Sequence, residues 1–385
     1  VIHRTALKKI NYFASKYPVI TLTGPRQSGK STLLKSAFPT YKYVSLEDPD
    51  VRLIAQSDPR GFLKTYNSKT IIDEVQNVPE LFSYIQTIVD KENESGMYIL
   101  SGSQNFLLME AISQSLAGRT ALLKLLPLTI NEILSVKPNF TLDEFLFTGS
   151  YPRIYDKDIQ ANEFYPFYIQ TFVERDVRLL RNITDLNLYI KFLKLCAARV
   201  GQLLNVNSLA NECGISVLTV NAWLSVLETS YIIYLLKPFH KNLNKRVVKS
   251  PKLFFYDTGL LTSLLNIDSV SQLEFHYLHG NIFENWVINE INKKHYEQGI
   301  EPKISFWRDS NGNEIDIILE KGNKTLAFEI KSSSTIKIDH FKGLKLWQKL
   351  TSCSTDELFV IYAGDVNFMT SNGKFISWKE MDKIV

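Results

Sequence analysis

Tyr17-Pro-Val-Ile-Thr-Leu-Thr-Gly-Pro-Arg-Gln-Ser-Gly-Lys-Ser-Thr-Leu-Leu34 is the stretch on which the fold turns. Its apolar, β-branched opening reads as a short buried strand, its Gly-bounded centre as a loop, and its end as the start of a helix. Gly24 and Gly29 let the backbone bend so that successive N–H groups face one point, and the helix beginning near Lys30 adds the positive end of its dipole. That is a cradle for phosphate, built from Gly24, Pro25, Arg26, Gln27, Ser28, Gly29, Lys30, Ser31 and Thr32. Lys30 is placed to reach the outer phosphates of a nucleotide and the Ser31 hydroxyl to sit on Mg²⁺.

A phosphate loop alone binds without hydrolysing, so a second strand carrying carboxylates is the next requirement. Thr70-Ile-Ile-Asp-Glu supplies it: Asp73 would hold the Mg²⁺ shell and Glu74 would orient and deprotonate water. Without the upstream loop, the same acidic pair would read equally well as an ordinary strand-to-turn junction. A third apolar run, Met97-Tyr-Ile-Leu-Ser-Gly-Ser-Gln-Asn, ends on Ser103, Gln104 and Asn105, which either sense the γ-phosphate or form the turn after the strand. Strand, loop, helix, strand, helix, strand predicts a parallel α/β sheet with its ligand edge at the strand C-termini.

With 385 residues, the chain is longer than one core usually supports. Hydrophobic residues make up 45% and charged residues 22%, the balance of a globular protein, and no stretch approaches the ~18 apolar residues of a membrane span. The first ten residues mix Arg4, Lys8 and Lys9 with scattered apolar groups, unlike a secretory signal, so a cytoplasmic protein is expected; the start at Val1 leaves room for an upstream segment. Cys196, Cys213 and Cys353 are odd in number and widely spaced, which argues against a disulfide framework or zinc site. A net charge of +4 permits a nucleic-acid partner without requiring one.

In the middle of the chain, Asn207 to Glu228 reads as helix-turn-helix. Leu209 and Ala210 pack inside, Gly214 makes the turn, and Ser216 caps a second helix buried through Val220, Leu224 and Leu227. Tyr231-Ile-Ile-Tyr-Leu-Leu and Lys252-Leu-Phe-Phe-Tyr are candidate wing strands, and Lys237, Lys241, Lys245, Arg246 and Lys249 between them form a basic patch. One reading sets the second helix in a DNA groove; the other makes the unit a protein-contact or lid module, because its exposed face of Ser216, Thr219, Asn221 and Ser225 carries no Lys or Arg.

From Gly280 the chain offers a helix carrying Glu284, then Asn313-Glu-Ile-Asp-Ile-Ile-Leu, a turn at Gly322, and Thr325-Leu-Ala-Phe-Glu-Ile-Lys. A hairpin would bring Asp316 beside Glu329 and Lys331, the last two on one strand face. This is similar to the PD-(D/E)XK nuclease core, which implies that Asp316 and Glu329, with Glu284 from the helix, hold a divalent metal and that Lys331 assists a hydroxide. The competing reading is a surface ion-pair ladder. His276 and His279 have a ligand-like interval but no third partner of the usual type.

Taken together, Leu22-Thr-Gly-Pro-Arg-Gln-Ser-Gly-Lys-Ser-Thr, Ile72-Asp-Glu-Val-Gln, Leu100-Ser-Gly-Ser-Gln-Asn-Phe-Leu, Ala117-Gly-Arg, Leu126-Pro-Leu-Thr and Phe147-Thr-Gly-Ser-Tyr-Pro resemble AAA+ superfamily ATPases of bacteria and archaea. The likeness is to a group with a winged-helix segment and a nuclease-like carboxy-terminal domain of unknown function, and it runs on through Gly280-Asn-Ile-Phe-Glu-Asn, Phe306-Trp-Arg-Asp and Phe328-Glu-Ile-Lys. It implies an AAA+ core over 1–160, a helical and winged-helix region over 161–270, and a restriction-endonuclease-like α/β domain over 271–385. It also implies ATP and Mg²⁺ as ligands, a homo-oligomer, and an arginine that completes the site, with Arg119 the first candidate and Arg153, Arg175 and Arg178 next. The function expected is ATP binding and hydrolysis coupled to the appended modules acting on DNA or RNA, the alternative being an ATP-gated scaffold for a protein partner with an inactive nuclease-like fold.

Overall fold

A computed structural model describes residues 2–103, 112–172, 185–239 and 247–383. Helix α1 (Leu7–Ala14) precedes strand β1 (Val19–Thr23), α2 (Lys30–Ala37), β2 (Lys42–Ser45), α3 (Pro49–Ser57), α4 (Pro59–Thr65), β3 (Thr70–Asp73), α5 (Leu81–Glu92), β4 (Tyr98–Gly102) and β5 (Thr120–Lys124). The five strands lie in the order β2-β3-β4-β1-β5, every neighbour parallel. β1, β3 and β4 are buried along their whole length, as their unbroken apolar runs require once helices cover both faces. Register sets the functional edge: Asp73 lies beside Ser45 on one side and Ser101 on the other, and Leu22 beside Ser101, so the ends of β1 and β3 flank the end of β4.

Short helices α6 (Ile130–Leu134), α7 (Leu142–Thr148), α8 (Pro152–Lys157) and α9 (Ala161–Phe172) follow. Gly149 between α7 and α8 has φ +70°, and a Cβ there would stand 2.1 Å from the Tyr165 hydroxyl and 2.5 Å from Asp257 Oδ1. The glycine makes room for a buried knot in which Asp257 accepts from the Ser150 amide (2.8 Å), Ser150 Oγ (2.8 Å) and Tyr165 (2.6 Å).

Helices α10 (Leu186–Ala197), α11 (Val206–Cys213) and α12 (Val217–Thr229) and the antiparallel pair β6 (Ile233–Leu236) and β7 (Lys252–Phe255) form the helix-turn-helix and ribbon. Gly214 is left-handed, Ser216 caps α12, and Leu209, Ala210, Val220, Leu224 and Leu227 are buried. The ribbon is not a free wing. Phe239 N–H donates to Phe306 O (2.7 Å) and Val248 N–H to Arg308 O (3.1 Å), so both ends of its connecting segment are laid along the C-terminal sheet. Of the basic patch, Lys241, Lys245 and Arg246 lie outside the described residues.

After α13 (Thr258–Leu264) and α14 (Val270–Glu274), the 19-residue α15 (His279–Glu297) runs into β8 (Ile304–Arg308), β9 (Glu314–Lys321), β10 (Lys324–Lys331), α16 (Lys342–Thr351), β11 (Leu358–Tyr362), β12 (Phe368–Thr370) and β13 (Gly373–Ser377). These strands make a mixed sheet in the order β12-β13-β11-β10-β9-β8. The β9–β10 hairpin turns at Gly322, with φ +60°, and its register pairs Ile317 with Phe328. The fold is therefore mixed α/β, with a parallel sheet first and a second sheet at the carboxyl end. Among the described residues no helix is long and apolar enough to cross a membrane. Gly149→Ala should destabilise the protein by about 3 kcal/mol in urea unfolding, since strain and the broken Asp257 knot act together.

Candidate nucleotide site and acidic cluster

The phosphate loop turns between β1 and α2. Gly24 has φ +147°, Gln27 φ +59°, and Gly29 φ +90° as the residue before the helix. A Cβ on Gly24 would stand 2.1 Å from Leu125 O, so only glycine fits. Lys30 is buried and its ammonium donates to the carbonyls of Gly24 (2.9 Å) and Pro25 (2.8 Å); burial brings its pKa down to about 8 against the pull of Glu74 and Asp73. Arg26, Gln27, Gly29, Lys30, Ser31, Thr32 and Glu74 line a cleft of about 1000 Å³. Ser28 serves inward instead, its carbonyl accepting from Arg4.

Asp73 is gripped by three hydroxyls: Ser31 Oγ (2.6 Å) and Tyr43 Oη (2.7 Å) on Oδ2, and Ser101 on Oδ1. Burial pushes its carboxyl up, but Ser101, Ser31, Tyr43 and the Lys30 charge outweigh that and hold it below the ordinary aspartate value. Glu74 follows in a left-handed conformation, φ +52°, and its carboxylate accepts from Ser103 Oγ (3.1 Å) and from Gln76. The adjoining Ser31 hydroxyl and Asp73 carboxylate, with Glu74 one residue on, are a donor set that suits Mg²⁺ beside a phosphate.

Arg119 is not at this edge. Its carbonyl accepts from the Val19 amide at the start of β1, about 13 Å along the strand from Thr23, and its guanidinium is paired with Asp90 (2.9 Å). A residue just before a parallel strand lies at the edge opposite the ligand, so Arg119 does not reach the cleft of its own chain. Arg153, on α8, lines the cleft together with Tyr168 and Thr171 of α9. Arg175, Arg178, Gln104 and Asn105 lie outside the described residues.

Sequence reasoning missed the amino-terminal brace. Arg4 is 6% exposed and donates to Ser28 O (2.7 Å) and Leu126 O (2.6 Å), with Glu132 3.0 Å from its Nε. Glu132 also accepts from the Thr5 amide (2.8 Å). From α15, Glu290 accepts from the Ile130 amide (2.9 Å) and Lys293 donates to Leu128 O (2.7 Å). No local signal marks these residues, because each partner is more than 100 positions away or on another element. Ile2, His3 and Leu7 from the same segment line the cleft.

At the other end of α15, Glu284, Asp316, Glu329 and Lys331 do come together. Asp316 Oδ2 accepts from the Ile330 amide (2.7 Å) and Lys331 donates to Glu329 (2.8 Å). Burial and the Asp316 charge push the Glu329 carboxyl up to about 8; burial likewise raises Glu284 to about 7. Two further residues share the cluster: Lys252 of β7 contacts Glu284 (3.0 Å) and Glu314, and Glu314 also meets Arg308 (3.1 Å). His279 is paired with Asp143 (2.7 Å) rather than with His276.

The parallel sheet and its phosphate loop define a nucleotide-binding class of domain. Residues 16–134 match the family model of the AAA domain, residues 139–271 the domain of unknown function DUF8612, and residues 279–381 the domain of unknown function DUF4143. The sheet, the loop and the first of these matches support an AAA+ ATPase domain and ATP binding. The chain is similar to an uncharacterised protein of Mycobacterium tuberculosis, 28% identical over 377 residues, covering 96% of this chain and 82% of that one. A Haemophilus influenzae protein is 22% identical over 404 residues, covering 93% and 96%. Among solved structures, the Walker-type ATPase of Pyrococcus abyssi aligns with a TM-score of 0.46 at 14% identity, over 69% of this chain and 96% of that one.

The depressed Lys30 pKa has a measurable consequence. Bound phosphates would restore the ammonium, so binding above pH 8 would take up a proton: ATP affinity should fall by up to about tenfold per pH unit above pH 8. Calorimetry in buffers of differing ionisation enthalpy reads both the affinity and the proton count.

Proposed function

We propose that this chain binds ATP and hydrolyses it with Mg²⁺, and that the nucleotide state is passed to the C-terminal sheet. The observation that carries the hydrolytic reading is Asp73, held by Ser31 of the phosphate loop, with Glu74 beside it and open to the same cleft. Loop amides and Lys30 would bind the phosphates, and Ser31 and Asp73 would hold the metal. Mg²⁺ would neutralise developing phosphate charge. Glu74, turned by its left-handed backbone and steadied by Ser103 and Gln76, would take the proton from the attacking water. Of the candidate arginines among the described residues, Arg153 lines the cleft and would meet charge on the transferred group. Ile2, His3 and Leu7 would face the base.

The cleft is bounded on one side by the phosphate loop and on the other by α8 and α9, so nucleotide would bridge two segments of the chain. In this proposal, the units are those read from the sequence: an ATPase core over 1–160, a helical and winged-helix region over 161–270, and a nuclease-like domain over 271–385. Arg4, Glu132, Glu290 and Lys293 link the loop to α15, whose first turns carry Glu284.

Of the two roles for the appended modules, the ATP-gated scaffold for a protein partner is the better supported. Leu218 on the exposed face of α12 is 80% exposed with no Lys or Arg on that helix, and both ends of the segment joining the ribbon strands are docked on β8. Action on DNA or RNA remains the second reading, carried by the gathered acidic cluster.

ATP turnover with Mg²⁺ tests the whole proposal. Lys30→Ala should abolish binding, Glu74→Gln should keep binding while turnover falls about 100-fold or more, and Arg153→Ala should lower turnover by about 100-fold. Turnover unchanged in Glu74→Gln would overturn the hydrolytic assignment. Added DNA should leave the rate unaltered; strong stimulation would favour the nucleic-acid reading.

A further inference from the structure

The acidic cluster carries its own cation. Lys252 projects from β7, is 3% exposed, and meets Glu284 Oε1 at 3.0 Å and Glu314. Two of the three carboxylates expected to hold a divalent metal already meet a lysine of the chain. Glu284 is taken by Lys252, Asp316 accepts from the Ile330 amide, and Glu329 is paired with Lys331. Glu329 is also pressed against helix α16, where a Cβ on Gly343 would stand 2.4 Å from its Oε1. Among the described residues no three His, Cys, Asp or Glu side chains converge to hold a metal ion. In this arrangement the residues do not fit the metal that a nuclease-like fold implies.

We infer that Lys252 is the resident cation of this cluster: its ammonium bridges Glu284 and Glu314 and clasps the β6–β7 ribbon to the C-terminal sheet in place of a divalent metal. An isolated buried charge is strongly disfavoured, so the carboxylates and the lysine hold one another in place. The contact joins parts that are distant in sequence, since β7 precedes the helix bearing Glu284 and the strand bearing Glu314. Backbone pairing of Phe239 and Val248 with β8 reinforces the same junction. A divalent ion can enter only if the lysine leaves, which makes the ribbon a lock on the cluster. The cluster lies at the end of α15 away from the brace on the phosphate loop, and the clasp needs no ATP hydrolysis.

The experiment is Mn²⁺ titration of the full, nucleotide-free chain, read by loss of the free-ion EPR signal and by the melting temperature with and without Mn²⁺. The variants are wild type, Asp316→Asn, Lys252→Met, Lys252→Met/Asp316→Asn and Lys252→Met/Glu284→Gln. Comparison with Asp316→Asn separates this cluster from any ion held at the phosphate loop. Wild type and Asp316→Asn should bind Mn²⁺ alike. Lys252→Met should gain one site with at least tenfold tighter binding, lost again with Asp316→Asn, and its lowered melting temperature should rise with Mn²⁺. An Asp316-dependent Mn²⁺ site in the wild type, unchanged in affinity by Lys252→Met, would overturn the inference. If Lys252→Met does not fold, folding of Lys252→Met/Glu284→Gln supports the clasp, while an Asp316-dependent site in the wild type still refutes it.

Discussion

Arg4 is the contact on which the arrangement depends. Its guanidinium is almost wholly buried, so each bond it makes must replace one lost to water, and its partners lie on the phosphate loop, on the segment after β5 and on Glu132. Through Glu132 and the neighbouring backbone, that segment is joined to Glu290 and Lys293 of α15. The carbonyl of Ser28 is tied to this buried charge, so a change of loop geometry on binding phosphate would be felt at Arg4. The same helix extends to Glu284, so one rigid element touches the nucleotide brace at one end and the acidic cluster at the other.

The two ends of that helix use the same physics for different purposes. At the nucleotide cleft, Asp73 is held ionised by hydroxyl donors that Mg²⁺ chemistry can replace, and the cleft is open to a ligand. In the acidic cluster, Glu284 and Glu329 each contact a lysine of the chain itself.

The phosphate loop, the carboxylates of β3 and the parallel sheet were legible because their signals are local: a glycine spacing, an apolar run, an acid at its end. The β9–β10 hairpin was legible for the same reason, since a period of two and a turn at Gly322 fix which side chains meet. The position of Arg119 was not legible, because closeness in sequence to a sheet says nothing of which edge a residue occupies; it precedes β5 and so stands away from the cleft of its own chain. Arg4, Glu132 and Lys252 gave no signal at all. Their roles arise from partners far along the chain, and a lone Arg near an amino terminus or a Lys opening a strand looks like any solvated charge. The docked ribbon was hidden likewise, because edge pairing with β8 is made by backbone groups that every sequence possesses.

Hydrogen exchange of the Glu74→Gln chain, with and without ATP and Mg²⁺, tests the central claim most directly. Nucleotide should slow exchange in the phosphate loop, in residues 126–134 and in the last turns of α15 near Glu290 and Lys293, and the distal effects should vanish in Arg4→Met. Slowed exchange confined to the phosphate loop, with α15 unaltered, would contradict the account.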